Sequence, residues 1–559
     1  MNHLFDKQSI IAEPGFNRWR VPFASVAIHL CIGSVYAWSI FNPPLTRVLG
    51  VVSSAAGDWS LSQVVRIFTV AIVCLGLSAA IGGKWLERVG PRLVGTVAAA
   101  CWGGGFLLGS LGIWLHQLWL LYFGYGVVGG IGLGLGYVSP VSTLLKWFPD
   151  RRGMAAGMAI MGFGGGAIIG APLKEWLLKV YFQAPMVLGV VGDVALETHN
   201  GQQYAKIGGQ LRAVVLGTIP GADKADLQSV FLVGTGSTGV AETFATLGIA
   251  YFFVMLTAAF AYRIPAPGWR PAGWEPTVNP ATARRMISAR EVDADRALRC
   301  PQFYLLWVVL CFNVTAGIGV LGVARTMMTD IFRPSLPHIV DEKFAATFVL
   351  MIGVFNMLGR FFWASVSDYM GRKPTYTLFF VLGIALYLAI PWTAAQVARS
   401  PAVFWLVLFY GISMLIFTMY GGGFSTVPAY LSDLFGARHV GAIHGRLLTA
   451  WSTAGVLGPE LITAFREQSR RAAIRSLTEH IPLSAFERAF GAGKEQVDSL
   501  VAQNTVTIDR LMKLAPAGTP NPSSSLYNST MYWMAGLLAL ALVANLLVFP
   551  VHERHHAKQ

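Results

Sequence analysis

Twelve runs of predominantly apolar residues recur along the chain, at about 24–44, 62–83, 93–113, 118–146, 154–176, 243–262, 303–325, 345–366, 375–394, 402–431, 442–464 and 528–550. An α-helix rises 1.5 Å per residue, so ~20 residues cross the ~30 Å of hydrocarbon in a bilayer. There every backbone N–H and C=O must be satisfied within the chain, and runs of this length select helices over the short strands of a barrel. With 54% hydrophobic and 13% charged residues over 559 positions, a soluble fold is excluded. The expected fold class is an all-α integral membrane protein with twelve transmembrane helices. The polar stretch MNHLFDKQSIIAEPGFNRWR precedes a run too long and too aromatic for the apolar core of a cleavable signal, so helix one is read as a retained anchor.

Orientation follows from Lys and Arg in the short loops. With the N-terminus inside, the inner loops carry Lys84, Arg88 and Arg92, then Lys146, Arg151 and Arg152, and finally Arg372 and Lys373. A central linker adds Arg263, Arg270, Arg284, Arg285, Arg290, Arg296 and Arg299, whereas the short outer loops hold Arg47, Arg333, Lys343 and Arg399. The expected location is the cytoplasmic membrane, multi-pass, with both termini in the cytoplasm. The net charge of +14 is then the basic rim of a membrane protein and needs no nucleic-acid partner. Cys31, Cys74, Cys101, Cys300 and Cys311 are scattered and mostly intrahelical, giving neither a disulfide framework nor metal-ligand spacing. No metal and no cofactor are expected.

One constant offset places Pro140 on Pro428, Gly153 on Gly441, Gly157 on Gly445 and Gly170 on Gly458. A second match, GGKWLERVGPR against ASVSDYMGRK, places Glu87 on Asp368, Gly90 on Gly371 and Arg92 on Lys373. Two parallel six-helix repeats are predicted, at 24–262 and 302–550, between cytoplasmic tails 1–23 and 551–559 and joined by a cytoplasmic linker 263–301. Equivalent periplasmic insertions fall at about 177–242 and 465–527. The first alternates around Asn200-Gly201, a favoured two-residue hairpin turn. The second has helical periodicity followed by a Pro/Ser linker. These caps either pack, gate access or bind a partner.

The stretch MIGVFNMLGRFFWASVSD sets Arg360 inside an apolar run, roughly four turns from its outer end and two from its inner end. A charge at the centre of a span costs ~2.5–3.5 kcal/mol on insertion scales and marks a functional position by default. Structural pairing or snorkelling to the interface is the alternative. Asn356, one turn earlier on the same face, extends a polar stripe. Guanidinium matches a carboxylate with a planar fork and stays charged at low dielectric. Acids are absent from the middle of the runs, with Glu175 and Glu460 toward outer ends, which disfavours a cation substrate. His29 reads either as a packing residue or as a proton-coupling group, and Tyr36 lies seven residues on, along its face. The basic loop motifs make Glu87, Arg88, Arg92, Asp368, Arg372 and Lys373 candidates for a cytoplasmic gate whose ion pairs break on opening. No HExxH, GxSxG or acid pair lies at depth, so no enzyme activity and no catalytic residue are expected.

The repeats, GGKWLERVGPR with its echo SDYMGRK, and the Arg-rich linker resemble the major facilitator superfamily. IHLCIGSVYAWSIFNPPL, LGLGYVSPVSTLLKWFPDRRGMAAG and the span around Asn356 and Arg360 are similar to the oxalate:formate antiporter family. The resemblance implies secondary transport at the midplane between the halves, with Arg360 as anion anchor and Tyr36, Tyr137, Phe163, Tyr420 and Phe424 as cage aromatics. Trp451 stands where the family's oxalate carrier has a second cation, a lysine, and Val35 where it has a glutamine. One central arginine neutralises one charge, and a second buried anionic group would remain unpaired. A small monocarboxylate is therefore expected over oxalate, moved by symport or antiport. The lipid bilayer and a proton or counter-anion are the expected partners, and a monomer is the expected state. Arg446, near the cytoplasmic end of helix eleven, is assigned to the gate ahead of the substrate. The alternatives are an oxalate/formate exchanger with a different second cation, and a sensor built on a transporter fold.

Overall fold

The computed structural model describes all residues except 1, 200–201, 219–227, 275–285, 289–290, 503–504, 517 and 557–559. The predicted Asn200-Gly201 turn and linker residues Arg284, Arg285 and Arg290 lie outside the described residues.

Helix one is Val21–Gly33, continued as a 3-10 stretch over Ser34–Phe41. Helices two to six are Leu61–Val89, Pro91–Trp114, Gly130–Trp147, Arg152–Tyr181 and Val240–Ala261. Helix four is entered through a π-helical stretch at Tyr122–Gly129. Helices seven to ten are Pro301–Phe332, Glu342–Met370, Arg372–Arg399 and Val403–Phe435. Helix eleven is Val440–Leu447 followed by Thr449–His480, and helix twelve is Asn528–Leu546.

Among the described residues, 11 helices are long and apolar enough to cross a membrane. Helix eleven is helical where expected but falls outside that set. It is interrupted at Leu448 and extends past the predicted 464 into a polar stretch with Arg466, Arg470, Arg471 and Arg475.

The helix ends follow local chemistry. Ser60 and Gln63 form a capping box at helix two, and the Asp341 carboxylate accepts from Phe344 N–H at 2.6 Å to start helix eight. Gly90 joins helix two to helix three at φ 87°, and Gly371 joins helix eight to helix nine at φ 89°. Both sit in the region that side-chain-bearing residues avoid. The two loop motifs matched in sequence thus make the same backbone turn.

The chain forms two compact units. The first comprises Met1–Ala297, Leu431–Ser452 and the C-terminal residues from His556, and the second Leu298–Tyr430 and Thr453–His555.

In the first unit, the insertion after helix five folds as a five-stranded antiparallel sheet of order β1-β5-β4-β3-β2. The strands are β1 (Val187–Val190), β2 (Leu196–His199), β3 (Gln202–Ile207), β4 (Gln210–Gly217) and β5 (Ser229–Leu232). A Gly208-Gly209 turn, both residues at positive φ, joins β3 to β4, as the right-handed twist of a hairpin favours. Ala205, Val214, Val230 and Leu232 make its small core. The sheet sits on the loop after helix one, through Ser53 Oγ donating to Leu216 O and Ala56 N–H donating to Gln202 Oε1, both at 2.7 Å.

In the second unit, the later insertion continues as helices Leu483–Phe490, Val497–Ala502 and Ile508–Met512. Asp330 of helix seven anchors its base, accepting from Arg466 Nη2 and Tyr527 Oη at 2.8 Å each.

Candidate functional site

In the first unit the predicted aromatics from helices one, four, five and eleven meet. The Phe163 ring centroid lies 5.1 Å from Tyr36, 5.3 Å from Tyr137 and 5.2 Å from Trp451. Trp451 lies 5.3 Å from Tyr137 and 6.4 Å from Tyr36. The pairs are edge-on or tilted, the arrangement that ring quadrupoles favour.

Glycines set this approach. A Cβ on Gly33 would lie 2.1 Å from the Phe163 carbonyl oxygen, so helices one and five touch backbone to backbone there. His29 is fully buried, its ring 5.2 Å from Tyr137 and 6.3 Å from Phe163. Sequence reading missed a second buried imidazole, His444, 5.9 Å from Tyr137. Its seven-residue spacing from Trp451, which repeats one helix face, was the available signal.

In the second unit, Arg360 of helix eight is fully buried. Its Nε donates to Asn356 Oδ1 at 3.2 Å, and its guanidinium carbon lies 5.0 Å from the Phe424 ring centre. Tyr420, one turn before Phe424 on helix ten, is 5.3 Å from it edge-on.

The glycine run 421–423 lets helix ten pass close to helices seven and eight. A Cβ on Gly421 would lie 2.2 Å from Asn356 O, and one on Gly423 would lie 2.2 Å from Asn313 Nδ2. Ser425 Oγ donates to the carbonyl of Arg360 at 2.6 Å, which fixes the turn that carries the guanidinium. Buried Asn313 is another residue not anticipated. It lies among apolar residues of helix seven, where no periodic polar stripe marks it.

At the basic end, Glu87 accepts from Lys146 Nζ at 2.6 Å and Ser142 Oγ at 3.3 Å, and Lys7 Nζ donates to its carbonyl at 2.7 Å. Arg88 lines a cavity of about 1170 Å³ with Lys7, Glu87 and Lys146. Arg92 donates to the carbonyls of Leu4 and Phe260, at 3.0 and 3.3 Å. In the second unit Arg372 pairs with Asp368 at 2.7 Å and with Ser367 Oγ, and Lys373 Nζ donates to Leu546 O at 2.7 Å.

Further ion pairs in the first unit involve residues 431–452, and sequence reading did not select most of them. Arg152 meets Asp433 at 3.2 Å, while Lys84 and Arg446 converge on Asp295. Hydrogen bonds from Lys84 and then Arg446 hold the Asp295 carboxyl down at about 2. Glycines again set the packing. A Cβ on Gly445 would lie 2.1 Å from Ala79 O, and one on Gly83 would lie 2.5 Å from Gly441 O.

The oxalate:formate antiporter of Oxalobacter formigenes is 25% identical over 448 residues, covering 79% of this chain and 83% of its own. Apicoplast pyruvate carrier 1 of Toxoplasma gondii is 24% identical over 468 residues, covering 76% and 79%. The fold is that of the fucose:proton symporter of Escherichia coli, with a TM-score of 0.54 at 10% identity over 95% of this chain and 98% of that one. The sequence model of the Major Facilitator Superfamily matches residues 16–196 and 229–459. The unmatched gap falls within the five-stranded sheet. With its long apolar helices, this chain belongs to the Major Facilitator Superfamily and is a multi-pass membrane transporter.

Proposed function

We propose that this transporter moves a small monocarboxylate across the cytoplasmic membrane by alternating access, both termini facing the cytoplasm, with Arg360 as the anion anchor. The observation that carries the reading is a guanidinium fully buried in a membrane span, held between an amide oxygen and an aromatic face. Such a group is costly to bury and suited to grip a carboxylate. The named activities of the two relatives, oxalate:formate exchange and pyruvate carriage, support the substrate class.

Tyr36, Tyr137, Phe163 and Trp451 are proposed as an apolar lining met by the substrate during the cycle. Tyr420 and Phe424 flank the anchor, and His29 is the proposed coupling group. Trp451 offers no positive charge, which favours one carboxylate over two. The cytoplasmic gate is proposed to comprise Glu87, Arg88, Arg92, Asp368, Arg372 and Lys373, joined by Arg152, Asp433, Asp295 and Arg446.

The test is exchange in proteoliposomes loaded with formate, lactate, pyruvate, acetate or oxalate, with and without a pH gradient. Saturable monocarboxylate exchange that disappears in Arg360→Gln is the expected result. Oxalate exchange outpacing all others would overturn the reading of Trp451. No flux of any acid through folded protein would overturn the anion reading and favour a sensor.

A further inference from the structure

Helix one changes geometry beside the aromatic cluster. It is α-helical to Gly33 and 3-10 from Ser34 to Phe41, and Ala37 leaves the helical region at φ −94°, ψ 27°. A break of this kind leaves backbone carbonyls in need of donors, and hydrocarbon supplies none. Lys174 of helix five meets that need. Its Nζ donates to Ser34 O at 2.7 Å and Ala37 O at 3.4 Å, and lies 4.7 Å from the Phe41 ring centre. The side chain is 0% exposed. A fully buried lysine in a membrane span is rare and marks a position with a task.

The position has a logic in sequence. Helix five presents residues 162, 166, 170 and 174 to helix one at four-residue spacing. The first three are glycines: added Cβ atoms there would lie 2.9 Å from Val26 O, 2.5 Å from the Gly33 carbonyl carbon and 3.0 Å from Ser34 Cβ. The fourth is the lysine, where helix one stops satisfying its own carbonyls. The segment it holds carries Tyr36, which faces Phe163 and Trp451. The same segment carries Trp38 and Phe41, packed on Tyr125 at 4.5 Å and Phe244 at 4.7 Å.

We infer that Lys174 is a positioning residue for transport, clamping the break in helix one so that Tyr36 is held in the aromatic cluster. The inference rests on the proposed reading of that cluster as a substrate-facing surface.

The experiment compares wild type, Lys174→Met, Lys174→Gln and Lys174→Arg in two assays. The first is hydrogen exchange by mass spectrometry in nanodiscs without substrate, which depends on no assumption about the cargo. Lys174→Met should speed exchange across 34–41 by roughly tenfold, the loss of both hydrogen bonds from the amine. Exchange across 61–89 should not change, and Lys174→Arg should restore the slow rate. Should Lys174→Met fail to fold, Lys174→Gln, which keeps a neutral donor, should give a smaller rise over 34–41.

The second assay is carboxylate exchange in proteoliposomes. Lys174→Met should raise KM by roughly tenfold with the maximal rate within about twofold, and Lys174→Arg should recover most of the affinity. Unchanged exchange over 34–41 in folded Met or Gln variants would overturn the clamp, as would an unchanged KM in a protein whose wild type transports. If wild type carries no carboxylate, the functional reading fails and hydrogen exchange alone decides the clamp.

Discussion

Replacing Arg360 by glutamine keeps an amide donor at the same depth and removes the charge. Substrate exchange should fall by ~100-fold or more, the scale seen when one member of a buried hydrogen-bonded charge pair is removed. Arg360→Lys should recover only part of it, because a point charge lacks the planar fork. Initial exchange rates at saturating and limiting substrate measure both. Trp451→Lys adds a cation to the aromatic cluster and should shift preference from formate toward oxalate by about tenfold or more, read from competition between the two labelled acids. At this scale legibility depended on chemical contrast. Arg360 and Asn356 stood out because polar groups within an apolar run are rare. Lys174 and His444 were as buried but unread, one near a predicted helix end where a cation draws no notice, the other seven residues from the tryptophan that drew it.

Helices two and eleven show how small residues act at the scale of an element. Gly445 rests against Ala79 O with no room for a side chain, and Gly83 does the same against Gly441 O. Gly445→Ala should therefore prevent full closure at the basic end. A cysteine placed at Ser142, which is buried there, should react with maleimide roughly tenfold faster in that background than with Gly445 intact. The Asp295 cluster should not titrate between pH 5 and pH 8. Its carboxyl is held below the ordinary value, at about 2, so its ion pairs are fully formed above the usual carboxylate pKa of about 3.9 and lost only as pH falls through the depressed value. Asp295→Asn should alter transport by the same factor at pH 5 and pH 8, which a comparison of pH profiles checks. Element identity and order were legible because hydrophobic length speaks directly to membrane helices. The extent of helix eleven was not, because hydropathy ends where Arg466 begins while the helical backbone continues to His480. The β3–β4 hairpin was legible in Gly208-Gly209 yet passed over for the asparagine-glycine turn nearby.

At the scale of the whole molecule, the family match leaves out the middle of the five-stranded sheet, which has a core of its own. Replacing residues 187–232 with a short Gly/Ser linker should leave carboxylate exchange within about twofold while lowering the melting temperature by several degrees, because the seat on the loop after helix one is lost. A scan in detergent beside the flux assay separates those effects. The first compact unit draws on Leu431–Ser452, chain made long after the Met1–Ala297 part it packs with. Synthesis at ~5–20 residues per second places this segment at the ribosome roughly 7–30 s after Ala297. Until then the glycine-lined face of helix two at Gly76 and Gly83 has no Ser452 or Gly441 to pack against. The nascent protein must wait in the membrane with that face open, so insertion chaperones and quality-control proteases have a defined interval in which to inspect it.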